Sequence, residues 1–395
     1  MPWSETCRME ERARFVLAAL EGWTSMSDLC EKYGVSRRVG YKWLARYEAG
    51  GLAALEDQRR TPRRQAKATP PEIVGKLIEL RQQRPTWGPK KLRARLEHLH
   101  PELSWPAPST IGEILRREGL VPKKARRKRP QGAWRSSRTA ADAPNQVWTA
   151  DFKGEFRLGS AQLCYPLTIV DAHSRFLLAC QALPGTAARG ARATFERAFR
   201  EYGLPEVIRT DNGTPFRSRA VAGLSQLAVW WIQLGIQLEW SRPSHPQDNG
   251  AHERMHRTLK AEATKPGRAT PELQQRAFNR FIRIYNEERP HEALGMQTPG
   301  SIYKPAGRQM PARIPELNYP EHFLRRKISR HGQLRWRKRM YFVSETLHRQ
   351  AVGLEHTGDG VFNLYFGPVF LGQLDEQQRL IRLAHDRRPP HPHGV

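Results

Sequence analysis

Apolar positions along this chain change period twice, and each change marks a new kind of element. Between residues 9 and 49 they recur three or four apart in MEERARFVLAALEG, SMSDLCEKYG and SRRVGYKWLARYEAG, which predicts three short helices. Gly34-Val35 is the expected sharp turn and Ser36 the N-cap of the third helix. In that helix Val39, Trp43 and Tyr47 fall on the inward stripe, with Trp43 read as core, and Arg37, Arg38, Tyr41 and Lys42 fall on the outward one. Residues 55–70 are rich in Arg and Pro and lack an apolar period, so they read as a basic linker. Helical periodicity returns in PEIVGKLIELRQQ, GPKKLRARLEHLH and PSTIGEILRREG, the last expected to begin at Ser109 or Thr110. KKARRKR, 123–129, then opens a second basic linker reaching residue 144.

From residue 145 the period shortens to that of strands. VWTADFKGEF, QLCYPLTIVD and RFLLACQAL predict an antiparallel meander, followed by helix ARATFERAFREYG, strand PEVIRT, helix VAGLSQLAVWWIQL and strand GIQLEWSRP. HPQDNGAHERMHRTLK feeds a further helix that ends near Pro266-Gly267. PELQQRAFNRFIRIYNEE gives the last helix, with Ala277, Phe281, Ile284 and Tyr285 as its buried stripe. Three antiparallel strands, a crossover helix and two strands between helices make an α/β, ribonuclease-H-like core over 145–305. Residues 311–385 carry the shorter runs RKISRHG, QLRWRKRMYFV, AVGLEHT, VFNLYF and VFLGQL between Gly-containing turns, predicting a small β-barrel. Its expected basic face is RRKISRHGQLRWRKR with Trp336 interleaved, and 386–395 is a tail.

Charge changes the reading of the helical segments. The 395 residues hold 66 Lys and Arg against 39 Asp and Glu, a formal +27, which calls for a polyanionic partner. With Arg37, Arg38, Tyr41 and Lys42 outward near its start, the third helix reads as the recognition helix of a helix-turn-helix unit over 1–54, and 71–122 as a second such unit. No apolar run is long enough to span a bilayer and no leader pattern opens the chain, so neither a membrane nor secretion is expected. Cys7, Cys30, Cys164 and Cys180 form no CxxC pair, which favours reduced thiols and no structural zinc.

Candidate chemistry lies in the core. On the helix after the DNG turn, Ala251, Met255 and Leu259 share an apolar face, while Glu253, Arg257 and Lys260 share a charged one. Asp151 sits in mid-strand, where an uncompensated carboxylate costs several kcal/mol. Asp211 follows PEVIRT and should sit at the carboxyl end of a buried strand, where open α/β sheets collect their ligand sites. Two strand-borne Asp residues and a helix-opening Glu suit two hard divalent cations. Asp171, ending LTIVD, reads as a turn residue, and Asp248 is the rival to Glu253 as third carboxylate.

Asp151 in WTADF, Asp211 in TDNGTPF, HPQDNGAHERMHRTLK and YNEERPHEALGMQTP together resemble the catalytic core of bacterial insertion-sequence transposases, in the DDE superfamily that includes retroviral integrases. RYEAGGLAALEDQRRTP and RPTWGPKKL resemble the same enzymes' N-terminal DNA-binding segments. One departure is that 41 residues separate Asp211 from Glu253, more than in the common form, and the excess is assigned to a lengthened helix in RSRAVAGLSQLAVWW. The resemblance implies catalytic, metal-holding roles for Asp151, Asp211 and Glu253 and two Mg²⁺ ions, with Mn²⁺ able to substitute. Arg257 and Lys260 would meet DNA. The implied activity is a transposase that cleaves element ends and joins the 3′ ends to target DNA. Its partners would be double-stranded DNA and further copies of the chain in a synaptic complex, in the bacterial cytoplasm at the nucleoid. A nuclease that cuts without joining, or a repressor with an idle core, remain the alternatives.

Overall fold

The computed structural model describes residues 7–57, 69–121, 139–242 and 250–384. KKARRKR, most of the first linker, Asp248 and the tail lie outside them. Two units, Met1–Ala68 and Thr69–Val395, each hold together through their own contacts.

The first unit contains α1 (Arg8–Glu21), α2 (Met26–Lys32) and α3 (Arg37–Gly50). Gly34, at φ +64°, makes the turn between α2 and α3, and Ser36 Oγ accepts the Val39 N–H at 3.4 Å as the expected N-cap. The closest approach of α3 to its neighbours is at Gly40, where a Cβ would stand 2.7 Å from Cys30 Sγ and 2.9 Å from the Phe15 ring. Backbone, not a large side chain, therefore makes that contact, and Val39 is only half-buried instead of leading an inward stripe. Trp43 and Tyr47 do pack on the core of Phe15, Val16, Leu29, Cys30 and Leu55. Trp43 is nevertheless a rim residue rather than core, half-buried under the guanidiniums of Arg12 at 4.0 Å and Arg46 at 4.9 Å.

The second unit begins with α4 (Pro71–Gln83), α5 (Pro89–Leu99) and α6 (Pro108–Arg117). Each starts on a proline, whose fixed φ suits the first helical position. That places the start of α6 at Pro108, before the Ser109 or Thr110 the sequence suggested. Their core, built on Leu77, Trp87, Leu92, Trp105 and Ile111, also takes in Ile284 from the far end of the chain. Arg84 meets Glu288 at 2.6 Å, so this triplet is fastened directly to the α/β core.

That core is a mixed sheet of β1 (Val147–Phe152), β2 (Phe156–Arg157), β3 (Leu163–Asp171), β4 (Leu177–Leu183), β5 (Val207–Thr210) and β6 (Gln237–Trp240). β3 runs antiparallel to both β1 and β4, while β5 runs parallel to β1 and to β6. Strand period two sorts the two faces of β1. Trp148 and Ala150 pack with α7 (Ala188–Tyr202) and one side of α8 (Gln226–Gln233). Thr149 and Asp151 point the other way, toward α9 (Gly250–Ala263), beside which α10 (Pro271–Arg283) packs on β4. The buried stripe of α10 runs Gln274, Phe278, Phe281 and on to Tyr285; Ala277, expected there, is half-buried, because Phe278 takes the sheet-facing position. The edge strand β4 would leave backbone groups open, and amides from this segment close them. Asn286 Oδ1 accepts from Leu177 N–H at 2.8 Å and its Nδ2 donates to Leu177 C=O at 3.0 Å, while Gln275 does the same for Ala182 and Cys180.

The excess residues between Asp211 and Glu253 do not lengthen a helix. Ser225 caps α8, its Oγ accepting from Ala228 N–H at 3.2 Å, so the helix begins only at Gln226. Residues 216–225 instead form an excursion pinched by a bridge between Arg217 and Leu224. Val221 and Leu224 from it, with Ala228, Val229 and Ile232 of α8, enter the core of the C-terminal region. Because α8 packs on the sheet with one side and on this second core with the other, it is apolar all round.

The C-terminal region contains β7 (Phe323–Lys327), β8 (Gln333–Trp336), β9 (Arg339–Phe342), β10 (Ala351–Gly358), β11 (Val361–Phe366), β12 (Val369–Asp375) and β13 (Leu380–Leu383). β7, β10, β11, β12 and β13 form an antiparallel sheet, and the β8–β9 hairpin, bridged through Ile328 and Leu334, turns it toward a barrel. QLRWRKRMYFV, expected as one strand, is this hairpin, turning at Arg337 with φ +52°. Trp336 is not interleaved in a basic face. It is buried on Phe362 with Nε1 donating to Glu376 at 2.5 Å, and Arg326 lies over its ring at 5.3 Å.

Candidate active site

Asp151, on β1, has its side chain 20% exposed, and burial pushes its carboxyl up to about 7. The Asp211 and Glu253 carboxylates push in the same direction, while the Phe152 backbone and Lys153 pull it back. Asp211, the residue after β5, and Glu253, in the first turn of α9, therefore lie near enough to the strand-borne Asp151 for their charges to act on it. Asp211 is half-buried and accepts the Gly213 N–H at 3.1 Å, the turn chemistry of DNG. Glu253 is exposed on α9, with Arg257 and Lys260 on the same side and Met255 and Leu259 buried on the other, as the stripes predicted. Among the described residues no three His, Cys, Asp or Glu side chains stand close enough to grip one ion. Asp248, the rival to Glu253, lies outside the described residues.

The rival Asp171 is a structural residue. Fully buried, it accepts from Asn145 N–H at 2.8 Å, Ser174 N–H at 2.8 Å and Ser174 Oγ at 2.6 Å, which closes the turn between β3 and β4.

Sequence reasoning missed the two histidines beside Glu253. His252 and His256 are buried between α9 and the sheet, and burial drives His256 down to about 4 and pushes His252 well below the usual imidazole range, so both are neutral at pH 7. Thr168, paired with Asp151 across β3 and β1, is their hub: its Oγ1 lies 2.7 Å from Nε2 of each ring and donates to the Asp151 C=O at 3.0 Å. Thr149 Oγ1 meets His252 Nδ1 at 2.9 Å, and His256 Nδ1 stands 3.8 Å from Asp151 Oδ2. The network pins the helix carrying Glu253 to the strand carrying Asp151. Its signal was legible as HERMH, two imidazoles four residues apart on one face. Lys153 follows Asp151 by two residues; its ammonium pKa is lowered by burial first and by Lys260 next, while Asp151 raises it, so it lies near both the acid and the α9 lysine.

In the first unit Arg37, Arg38, Tyr41 and Lys42 are all exposed along the N-terminal half of α3. This is the arrangement a recognition helix requires.

Comparison with known families agrees with this architecture. Two family models, each described as an integrase core domain, match residues 141–246 and 234–299. A helix-turn-helix domain matches 11–63 and a homeodomain-like domain 39–115. Helix-turn-helix DNA-binding segments followed by an integrase core define the class. The integrase core matches and the insertion-element relatives below support membership of the chain in the superfamily of DDE transposases and retroviral integrases. It is 27% identical over 231 residues to the uncharacterized 31.7 kDa protein of insertion element IS407 of Burkholderia multivorans, covering 58% of this chain and 80% of that one. The 39.2 kDa protein of insertion element IS476 of Xanthomonas euvesicatoria is 27% identical over 290 residues, 71% of this chain and 80% of that one. The Gag-Pol polyprotein of baboon endogenous virus is 35% identical over 128 residues, 32% of this chain but only 7% of the polyprotein. Membership assigns the chain to DNA integration or transposition in general, and to enzymes of the polynucleotidyl transferase type. Among the described residues no helix is long and apolar enough to cross a membrane.

Proposed function

We propose that the chain is a transposase that cleaves the ends of a mobile element and joins their 3′ ends to target DNA, with Asp151, Asp211 and Glu253 as its catalytic carboxylates. What supports this reading is the match to integrase core domains together with the placing of Asp151 on β1, Asp211 just after β5 and Glu253 in the first turn of α9, where burial first and then the two other acids raise the Asp151 carboxyl. An all-oxygen set whose members repel one another suits hard divalent cations, which keep all three ionised. Two Mg²⁺ ions, or Mn²⁺ in their place, would be held by these carboxylates and supply activation of the attacking oxygen and stabilisation of the leaving one. The chain's own groups do the rest. The Thr168, His252 and His256 network keeps Glu253 and Asp151 in register, so the acids need not reorganise when DNA arrives. Lys153 and Lys260 offer point charges to the phosphates at the site. Arg37, Arg38, Tyr41 and Lys42 would read the element's ends, and Arg257 would add a phosphate contact beside Lys260. Joining two ends to one target also calls for more than one copy of the chain.

The test is cleavage and joining by purified variants, with end binding measured beside them. Asp151→Asn, Asp211→Asn and Glu253→Gln are each expected to lower cleavage by about a thousandfold or more with binding nearly intact. Cleavage with no joining by the parent protein would leave the nuclease. Normal cleavage by Glu253→Gln together with its loss in Asp248→Asn would give the third place to Asp248.

A further inference from the structure

On the flank of α9 opposite Glu253 lies a cavity of about 420 Å³, walled by Ala251, Arg254, Met255 and Thr258 of α9, the turn after β3, the segment after α10, and Lys91 of α5. Cations dominate its lining. Arg289 is answered by Glu262 at 2.7 Å, and the cavity's carboxylate, Glu292, is engaged by Lys90 at 3.4 Å from outside. Lys91, Arg175 and Arg254 remain, and among the described residues no carboxylate comes within ion-pair distance of any of them. Arg175 is held there by a backbone at φ +64° in the turn after β3, and its guanidinium pKa is lowered, by burial first and by Arg254 among its neighbours. Burial also brings Lys91 down to about 8, with Arg289 adding repulsion. His291 Nε2 is buried nearby with no hydrogen-bond partner among the described residues.

Lys91 and Arg175 are half-buried and Arg254 is exposed beside them; a cation partly withdrawn from water without an anion is costly, so the two half-buried ones mark where an anion would be favoured. We propose that this cavity seats one backbone phosphate of the bound DNA, gripped by Lys91, Arg175 and Arg254. Two forked guanidiniums and an ammonium match a tetrahedral oxyanion better than a planar carboxylate, and the +27 chain already calls for a polyanion. Arg254 follows Glu253 directly, so the two sites are separated by about one helix width, roughly 10–12 Å.

The inference rests on DNA as the partner of the proposed function. The full-length protein and its Arg175→Met and Arg254→Gln variants are compared in two measurements. One is melting temperature without DNA, with and without inorganic phosphate; the other is affinity for a DNA duplex as a function of KCl. Arg175→Met should melt a few degrees higher than the parent, since a neutral side chain replaces a cation lacking an anion. Both variants should bind duplex with a log affinity against log salt slope shallower by about 0.9, the loss of one phosphate contact. Arg254 is exposed, so its variant carries the slope measurement even if Arg175→Met folds poorly. A lower melting temperature in Arg175→Met with unchanged slopes in both variants would make Arg175 a structural residue and overturn the site. Stabilisation of the parent by inorganic phosphate, with slopes unchanged in the variants, would make it a small-anion site and overturn the assignment to DNA. A parent protein that binds no duplex at all would instead strike the proposed function.

Discussion

The cations of α3 and the charged groups around α9 meet water on different terms. Arg37, Arg38 and Lys42 stand exposed on a three-helix unit whose core does not involve them, so each keeps its hydration and folding is indifferent to it. Around α9 charge is tucked in: Asp151 is raised to about 7 mainly by burial, and Arg175 and Lys91 are lowered by it. An exposed charge can be lost at little cost to the fold, whereas a buried one of unmet sign marks where a ligand of opposite sign belongs. Substitutions should therefore separate function from stability in opposite ways in the two regions.

The largest such separation is expected at Asp151. Its folded carboxyl sits at about 7 against 3.8 ordinarily, so between those values the folded protein binds more protons than the unfolded chain. Stability should then fall as pH rises through that window and level off above it. In EDTA the parent's melting temperature is expected to drop by a few degrees from pH 5 to 8. Asp151→Asn should remove the drop while abolishing cleavage, and Mg²⁺ should flatten it in the parent by pairing the ionised form. Superimposable pH profiles for parent and Asn variant in EDTA would show that burial at Asp151 carries no such cost.

How far these sites could be read from the letters depends on which physical signal each residue leaves. Asp151, Asp211 and the two faces of α9 were legible because an acid in a strand and a charged stripe opposite Met255 and Leu259 violate or obey simple periods. His252 and His256 left only the four-residue spacing of HERMH, a weaker mark, since neutral imidazoles are at home on either face and only the packed Thr168 decides the matter. Gly40 escaped for a related reason: close backbone approach is a property of the neighbours, Cys30 and Phe15, and not of the glycine. The helix expected at 221–234 starts only at Gln226, after the Ser225 cap, because apolar residues before and within α8 serve two different cores, a division that period alone cannot reveal. Likewise Trp336 looked interleaved with cations because its neighbours along the strand are basic, while its own side chain alternates to the inner face.

On α3 the contrast predicts loss of binding with no gain or loss of stability. Arg37→Ala, Arg38→Ala and Lys42→Ala should leave the melting temperature within a degree or so of the parent's, since surface substitutions seldom move stability by more than about 0.5 kcal/mol. Each that reaches a base edge should weaken binding to the element's end by about 1–3 kcal/mol more than binding to random duplex. Equal losses on both DNAs would reduce the residue to a phosphate contact. A fall in stability comparable to the loss of binding would erase the difference between the two regions.

The smallest effect is expected at Lys260, which joins the two regimes: it is exposed like the α3 cations yet belongs to the buried-acid site. It lies seven residues after Glu253 on the same side of α9, about 10 Å along the axis. That is too far to share a ligand with the carboxylate, and an ammonium does not coordinate a cation, so the partner proposed for it is a DNA phosphate. Lys153 lies near both Asp151 and Lys260 and keeps one positive charge there when Lys260 is removed. Lys260→Ala is therefore expected to lower cleavage and joining only by about threefold to tenfold, the range of an exposed charge contact. Mg²⁺ affinity should be unchanged, and the Lys153 ammonium pKa should rise, since the neighbouring charge that helps depress it is gone. Lys260→Arg should restore most of the activity because a point charge, not a particular fork of donors, is required. Removing both lysines should cost more than the product of the single losses, because each now covers for the other. Full joining by Lys260→Ala at physiological salt, with Lys153 intact and again with Lys153→Ala, would place Lys260 with the solvated charges of the surface.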